Sequence, residues 1–277
     1  MTVFIFTLIL LLGAYAAGLL GSLTGLGGGV VVIPLLTLCF GVDFHYAIGA
    51  ALVASIATSS GSASAYVKEG ITNIRLGMFL EIATTIGAVV GAFVALWMPT
   101  NMIAVIFGCT LIFTAIMQQR RKIDHEGVVG SDLARKLKLY GSYPTNEGFK
   151  KYELTHVGKG FSIMVSAGIL SGLLGIGSGV LKVLAMDGAM KVPFKVSTTT
   201  SNFMIGVTAA ASAVVYIQRG YIEPGIAFPI MVGVLGGAMT GARLLKTMKV
   251  TLLRKIFSIA IFLVALNMIY HGILGKF

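Results

Sequence analysis

Long, nearly uncharged hydrophobic runs are the main pattern along this chain. Eight of them reach roughly 20 residues, the length that an α-helix needs to cross the hydrocarbon core of a bilayer. Each run therefore predicts a membrane-spanning helix. The eight runs cover residues 3–23, 45–67, 76–98, 101–119, 161–181, 196–218, 222–242 and 256–275.

Two shorter apolar runs, 30–40 and 180–190, each follow a glycine-rich segment. Each predicts either a short helix that returns from the preceding span or one arm of a re-entrant hairpin. The pattern does not separate these two arrangements. The predicted fold is an all-α polytopic membrane protein with about eight full helices and two half-length ones.

The glycine-rich segments are two copies of one motif. Residues 25–29 read Gly-Leu-Gly-Gly-Gly, and residues 175–179 read Gly-Ile-Gly-Ser-Gly, at an offset of 150 positions. The same offset aligns roughly 75 positions without a gap, including Gly18 with Gly168. The chain is therefore an internal duplication.

Basic residues in the connections predict how the repeats are oriented. The positive-inside rule assigns the more basic connections to the cytoplasm and both termini to the outside. The equivalent connections of the other half carry fewer basic residues, so the halves are expected to run antiparallel. This predicts two inverted repeats, 1–119 and 160–277, each with about four full helices and one short segment. The connections assigned to the cytoplasm are 67–75, 120–159, 191–195 and 243–255.

Composition supports a protein of the cytoplasmic membrane. Hydrophobic residues make up 56% of the chain and charged residues 11%, against about 25% charged residues in soluble domains. The formal charge of +11 lies mostly in the connections, so orientation explains it without nucleic-acid binding. Cys39 and Cys109 lie in apolar runs without a CxxC pair, which predicts buried thiols and neither a metal site nor a cofactor.

Glycines at alternate positions of each motif have a chemical consequence. They permit positive φ and let a ligand approach the backbone closely. The first N–H groups of the following helix have no helical partner, and with the helix dipole they favour an anion. We expect the two inverted copies to form one anion site. The alternative is that the glycines only permit tight helix packing.

These motifs resemble those of the TauE/SafE family of membrane proteins, often described as sulfite or organosulfonate exporters. The resemblance spans nearly the whole chain outside 120–159. Two positions depart from the family pattern, since Ala50-Ala51 replaces a common Thr-Ser pair and Ser178 replaces a frequent third glycine. The resemblance rests on Gly25 to Pro34, Ala47-Ile48-Gly49, Gly175 to Gly179 and Thr198 to Ser201.

Because of these departures, the second half is expected to supply most of the polar lining. The first half would add Ser55, Thr58 and Ser59. The alternative is that each hydroxyl bonds a carbonyl of its own helix. The predicted substrate-binding residues are Gly25, Gly27, Gly28, Gly29, Gly175, Gly177, Ser178, Gly179, Lys182, Thr199, Thr200, Ser201 and Asn202.

Two charges lie inside apolar runs, where burial is costly. Lys182 follows the second motif and would strengthen anion binding; alternatively it extends to the cytoplasmic surface or pairs with Asp187. Glu81 is a candidate coupling residue, but the favoured interpretation places it at the membrane interface near Arg75.

The predicted function is secondary transport of a small anion by alternating access. Sulfite, an organosulfonate, or a related sulfur oxyanion or carboxylate is the expected substrate, and the bilayer is the expected surroundings. A passive channel is the first alternative, and a membrane-embedded enzyme or scaffold the weaker one, because no nucleophile pairs with a base at helical spacing. Import or export, the coupling ion and assembly into a homo-oligomer stay open.

Overall fold

Eight long α-helices and three short ones build the described part of the protein. The computed structural model describes residues 3–68, 70–119, 130–145, 148–244 and 250–275. The helices are α1 (Val3–Thr24), α2 (Gly29–Pro34), α3 (Phe44–Lys68), α4 (Ile74–Ala95), α5 (Thr100–Gln119), α6 (Asp132–Lys136), α7 (Val157–Leu174), α8 (Gly179–Val183), α9 (Phe194–Gln218), α10 (Pro224–Leu244) and α11 (Val250–Ile273); the strands are β1 (Gly141–Thr145) and β2 (Gly148–Tyr152).

The helix lengths match a membrane protein. Within the described ranges, seven long helices are apolar enough to cross a bilayer, and α11 has a shorter apolar stretch at Ser258–Ile273. The predicted all-α polytopic fold is confirmed.

The glycine motifs end α1 and α7. Gly25 and Gly175 have φ of 77° and 67°, a left-handed conformation that stops a helix and that glycine adopts at little cost. The chain then restarts as α2 and α8, which continue as π-helical segments at Leu35–Cys39 and Leu184–Ala189. The two predicted half-length helices are therefore present.

Close contacts at glycines show that the first helix of each half packs against a helix of the other half. A Cβ atom at Gly18 would overlap the carbonyl oxygen of Val234, and one at Gly168 would overlap that of Thr84. The two contacts are equivalent, because 18 plus 150 gives 168 and 234 minus 150 gives 84. The first helix of each repeat thus packs against the other repeat, α1 on α10 and α7 on α4.

The equivalent helices α3 and α9 form the centre. They pack against each other, α3 also contacts α10, and α9 also contacts α4. They are the most buried of the candidate spans, whereas α1 is the least. The fourth long helices of the repeats, α5 and α11, pack together.

Part of the connection between the repeats is folded, which the hydrophobic pattern did not predict. It contains α6 and an antiparallel hairpin in which Gly141 lies opposite Tyr152. Asn73 Nδ2 donates to the carbonyl of Leu139 (2.9 Å) and to the hydroxyl of Tyr152 (2.8 Å). The backbone N–H of Asn73 donates to Thr200 Oγ1 (3.1 Å). One residue therefore joins this unit to α4 and α9.

The two cysteines lie on the outer surface. Cys39 and Cys109 are both exposed, so the prediction of buried thiols is wrong. An apolar run predicts a spanning helix but not which side chains face inward.

The crossing of α4 and α7 gives the first prediction. A Cβ at Gly172 would overlap the carbonyl oxygen of Ala88, whereas one at Gly158, on the same helix, meets nothing within 4 Å. We expect Gly172→Ala to lower stability by about 1–3 kcal/mol, because two backbones must separate. Gly158→Ala is the matched control and should unfold at or above the wild-type temperature. Thermal unfolding of the purified protein measures both, and equal midpoints would contradict the close crossing.

The folded connection should respond to acid through Glu153. Its carboxylate accepts hydrogen bonds from the amide of Gly130 (2.6 Å) and from Arg135 (3.1 Å), and these lower the pKa of Glu153. A lowered carboxyl pKa stabilises the fold above the unfolded value and ceases to do so as pH falls through the folded value. Hydrogen exchange in 130–139, corrected for intrinsic rates, should therefore rise below the ordinary pKa of 4.5.

Glu153→Gln tests the cause. It should raise exchange in 130–139 already at pH 7, because the charge that accepts both bonds is gone. Exchange equal to wild type at that pH would show that the carboxylate does not hold the unit together.

Candidate functional site

The two glycine motifs lie against each other at the centre of the protein. A Cβ placed on Gly29 would lie 2.9 Å from the carbonyl oxygen of Gly175, and one on Gly179 would overlap the carbonyl oxygen of Gly25. Side chains are therefore excluded from the junction, and backbone from both repeats forms it. We call this contact the glycine junction.

Left-handed backbone shapes both sides of the junction. Gly27 and Gly177 have φ of 80° and 68°. Ser178 is also left-handed, with φ of 43°, although its counterpart Gly28 is right-handed. The hydroxyl of Ser178 donates to the carbonyl of Ala167 (2.7 Å). The departure from glycine at 178 thus ties the second motif to α7.

Two hydroxyls of α3, those of Thr58 and Ser55, face the first motif, and that of Ser59 faces α9. Thr58 Oγ1 accepts from the Gly28 amide (2.9 Å) and donates to the carbonyl of Ala54 (2.8 Å). Ser59 donates to the carbonyl of Asn202 (2.6 Å). Ser55 Oγ lies 2.8 Å from the Cβ position of Gly29, is fully buried, and has no hydrogen-bond partner in the described part of the chain.

The polar run on α9 divides into partnered and unpartnered groups. Thr199 bonds the carbonyl of Lys195 in its own helix, Thr200 accepts from Asn73, and Ser201 donates to the carbonyl of Gly179 (3.0 Å). Asn202 differs, because its Nδ2 is buried and has no partner within the described ranges. Its Oδ1 lies 3.8 Å from the Cβ position of Gly25.

Ser55 and Asn202 therefore bring unpartnered polar atoms to opposite ends of the first motif. Buried polar groups without a hydrogen bond are rare in folded proteins, and they mark sites where a water, ion or ligand completes the structure. The position equivalent to Ser55 in the second repeat is Ile205, whose side chain lies 2.7 Å from the Cβ position of Gly177. Only one side of the junction has this hydroxyl.

Lys182 and Glu81 are paired inside the protein. Their side chains are 0% and 6% exposed, and Lys182 Nζ lies 4.0 Å from Glu81 Oε2. Thr208 bridges them, accepting from Lys182 Nζ and donating to Glu81 Oε1, each at 2.5 Å. The alternative in which Lys182 extends to the surface is wrong, and Glu81 pairs with Lys182 rather than lying exposed near Arg75.

Sequence reasoning treated these two charges separately and did not single out Thr208. One feature of the sequence could have predicted that these two residues pair. A cation and an anion that each lie deep in an apolar helix both need a partner, and opposite charges satisfy each other.

A small pocket opens beside the glycine junction. It lies between residues of both motifs and the threonines of α5, Thr110 and Thr114. The lining residues are Leu26, Val30, Thr110, Thr114, Ile176, Ser178, Gly179, Val180 and Leu181.

Eight long helices around a glycine-lined centre define a polytopic α-helical membrane protein. Comparison with known proteins is more specific, because the family described as sulfite exporter TauE/SafE matches residues 10–268. The chain belongs to this family and is a membrane transporter.

Relatives of full length support this assignment. The chain is 30% identical over 283 residues to the "Probable membrane transporter protein YunE" of Bacillus subtilis (strain 168), covering 97% of this chain and 98% of the relative. It is 25% identical to the "Probable membrane transporter protein YdhB" of the same organism, covering 90% and 95%. A "Probable membrane transporter protein" of Xylella fastidiosa (strain 9a5c) is 24% identical, covering 93% and 91%. No solved structure matches the chain significantly.

The unpartnered hydroxyl of Ser55 gives a prediction about stability. Ser55→Ala removes no hydrogen bond and should leave the unfolding temperature unchanged. Thr58→Val, one turn away on the same helix, leaves the buried Gly28 amide without its acceptor and should cost about 1–3 kcal/mol. Thermal unfolding without added anions compares the two. A loss for Ser55→Ala equal to that of Thr58→Val would mean that Ser55 has a structural partner.

Proposed function

We propose that this transporter moves a small anion, such as sulfite, an organosulfonate or a related carboxylate, and that the anion binds at the glycine junction. The observation that carries the proposal is the placement of Ser55 Oγ and Asn202 Nδ2, both buried and unpartnered, beside the touching motifs. A hydroxyl and an amide NH₂ can both donate, and sulfur oxyanions present several acceptor oxygens.

Backbone N–H groups complete the proposed site. Some motif amides already have partners, since Gly25 donates to Gly21, Gly28 to Thr58 and Gly175 to Ser171. The site therefore uses the amides of Gly27, Gly29, Gly177, Ser178 and Gly179. These lie where two chain segments enter helices from opposite repeats, so the partial positive charge of both helix starts favours an anion.

The remaining predicted residues shape the site in this proposal. Ser201 fixes the carbonyl of Gly179, and Thr200 accepts from Asn73, so both orient backbone around the anion. Thr199 bonds its own helix and lines the approach. Lys182, three residues after Gly179, supplies the positive charge.

Alternating access follows from two inverted repeats in this proposal. The exchanged packing of α1 on α10 and α7 on α4 supports a two-fold relation between the repeats. The basic connections support a cytoplasmic position for the 120–159 segment and a location of the protein in the cytoplasmic membrane. The glycine junction is then exposed to each side in turn.

Uptake into proteoliposomes tests the site. Gly27→Ala and Gly177→Ala add a methyl group at left-handed positions of the junction, and Ser55→Ala removes an unpartnered donor. Loss of one hydrogen bond to a charged ligand corresponds to about 1.5–3 kcal/mol, which is roughly tenfold or more in affinity. We expect Ser55→Ala to raise KM for sulfite or methanesulfonate by at least that factor, and Gly27→Ala and Gly177→Ala to raise it because the added methyl group strains the junction.

Gly220→Ala is the matched control. Gly220 also has a left-handed backbone, with φ of 74°, but a Cβ there meets nothing within 4 Å. It carries the same backbone strain without touching the junction, so uptake should stay at the wild-type level. Wild-type uptake by well-folded Gly27→Ala, Gly177→Ala and Ser55→Ala would refute the site.

A further inference from the structure

The Lys182–Thr208–Glu81 network contains a buried ion pair, which helix packing alone does not require. Resting on the proposed anion site, we propose that Glu81 binds the coupling proton and competes with the substrate anion for Lys182. One proton then accompanies each monovalent anion. Glu81 is the switch, Thr208 holds it beside Lys182, and Lys182 exchanges one anionic partner for another.

The repeat provides an internal comparison. Subtracting or adding 150 converts Lys182, Thr208 and Glu81 into Val32, Thr58 and Met231. The equivalent place in the other half is thus built without charge, and Val32 there is fully buried. Thr58 keeps a structural bond to the Gly28 amide, whereas Thr208 bonds the two charges. The scaffold does not need an ion pair here, so the pair calls for another explanation.

The network adjoins the glycine junction. Ile205 touches it, lying 2.7 Å from the Cβ position of Gly177 and 2.9 Å from that of Gly179. Thr208 follows Ile205 by three residues on α9 and therefore lies on the same side of the helix, one turn further along. Lys182 is anchored on the short helix that begins at Gly179. In this proposal the Lys182 side chain changes rotamer and carries its ammonium group from Thr208 toward the junction.

Glu81 has few groups around it that could hold its charge. Lys182 faces it from α8 and Thr208 from α9, while Thr85 Oγ1, on its own helix, lies 3.4 Å from Oε1. α7 also packs on α4 but contributes no ion pair or hydrogen bond to Glu81 among the described residues. Oε2 has no hydrogen-bond partner in the described part of the chain. If Lys182 turns to another anion, the carboxylate therefore loses its only countercharge in this part of the molecule.

Charge balance then sets the stoichiometry. Lys182 and Glu81 together are neutral, and an added monovalent anion would leave one net negative charge in a region of low dielectric. A proton on Glu81 Oε2 restores neutrality: the carboxylate becomes a carboxyl group and the ammonium pairs with the anion. When the anion leaves, the proton leaves Glu81 and the original pair forms again. No other bond is made or broken.

Methanesulfonate is the probe for this step, because its charge does not change near neutral pH and acid can act only on the protein. In proteoliposomes clamped at zero membrane potential, one proton per anion predicts about tenfold accumulation for each unit of pH gradient. Glu81→Gln keeps the shape of the side chain and mimics the uncharged, protonated carboxyl group. It should therefore retain exchange of labelled for unlabelled methanesulfonate while its accumulation falls about tenfold, to the level without a gradient.

Three further variants support the comparison. Glu223→Gln neutralises an exposed carboxylate outside the Lys182–Thr208–Glu81 network and should accumulate methanesulfonate like the wild type. Glu81→Asp retains a titratable group and should retain the response to pH. If Glu81→Gln does not fold, the response of the wild type to the pH gradient still tests the proposal. Lys182→Met removes the shared cation and should lose exchange itself.

The outcomes separate the two proposals. Saturable methanesulfonate flux that ignores the pH gradient, or a folded Glu81→Gln that still accumulates with the gradient, overturns the role of Glu81 and leaves the anion site standing. Loss of accumulation in Glu81→Gln with retained exchange supports it. Absence of saturable flux of any tested anion in the wild type overturns the proposed function, and the coupling step with it.

Discussion

Polar backbone inside an apolar interior must be satisfied by the protein itself, and the glycine junction is where this chain meets that constraint. Two helices are interrupted in the interior, which frees N–H and C=O groups that no lipid can bond. Thr58, Ser59 and Ser201 each bond a backbone group of this region, and the two motifs touch because glycine leaves no side chain between them. The short helices α2 and α8 begin directly after the motifs that end α1 and α7.

Duplication gives the protein two equivalent places, and their chemistry has diverged. In the first half Thr58 bonds an amide of the motif; in the second, Thr208 lies between a lysine and a glutamate. Similarly, Ser55 presents a hydroxyl that has no hydrogen-bond partner among the described residues, where Ile205 presents a methyl group. The scaffold is therefore two-fold but the polar groups are not. A single substrate bound at a symmetric junction would meet different surroundings on each side.

Much of the fold could be predicted from the sequence because long apolar runs allow little other than spanning helices. The two glycine motifs could also be predicted, because their glycines recur at a constant offset and are recognised by aligning the sequence with itself. The pairing of Lys182 with Glu81 was not visible, because it depends on α4 of one repeat lying against α8 and α9 of the other. The exposure of Cys39 depends likewise on which face of a helix turns inward. The hairpin in the connection was missed because its short strands, which include Lys150 and Lys151, carry no long apolar run.

The packing of α1 on α10 and of α7 on α4 also determines what one half of the chain could form by itself. Each pair is joined through backbone that touches at glycines such as Gly18 and Gly168. Each pair combines one helix from each half of the sequence. Neither half alone therefore contains both helices of either pair, and the interior requires both halves.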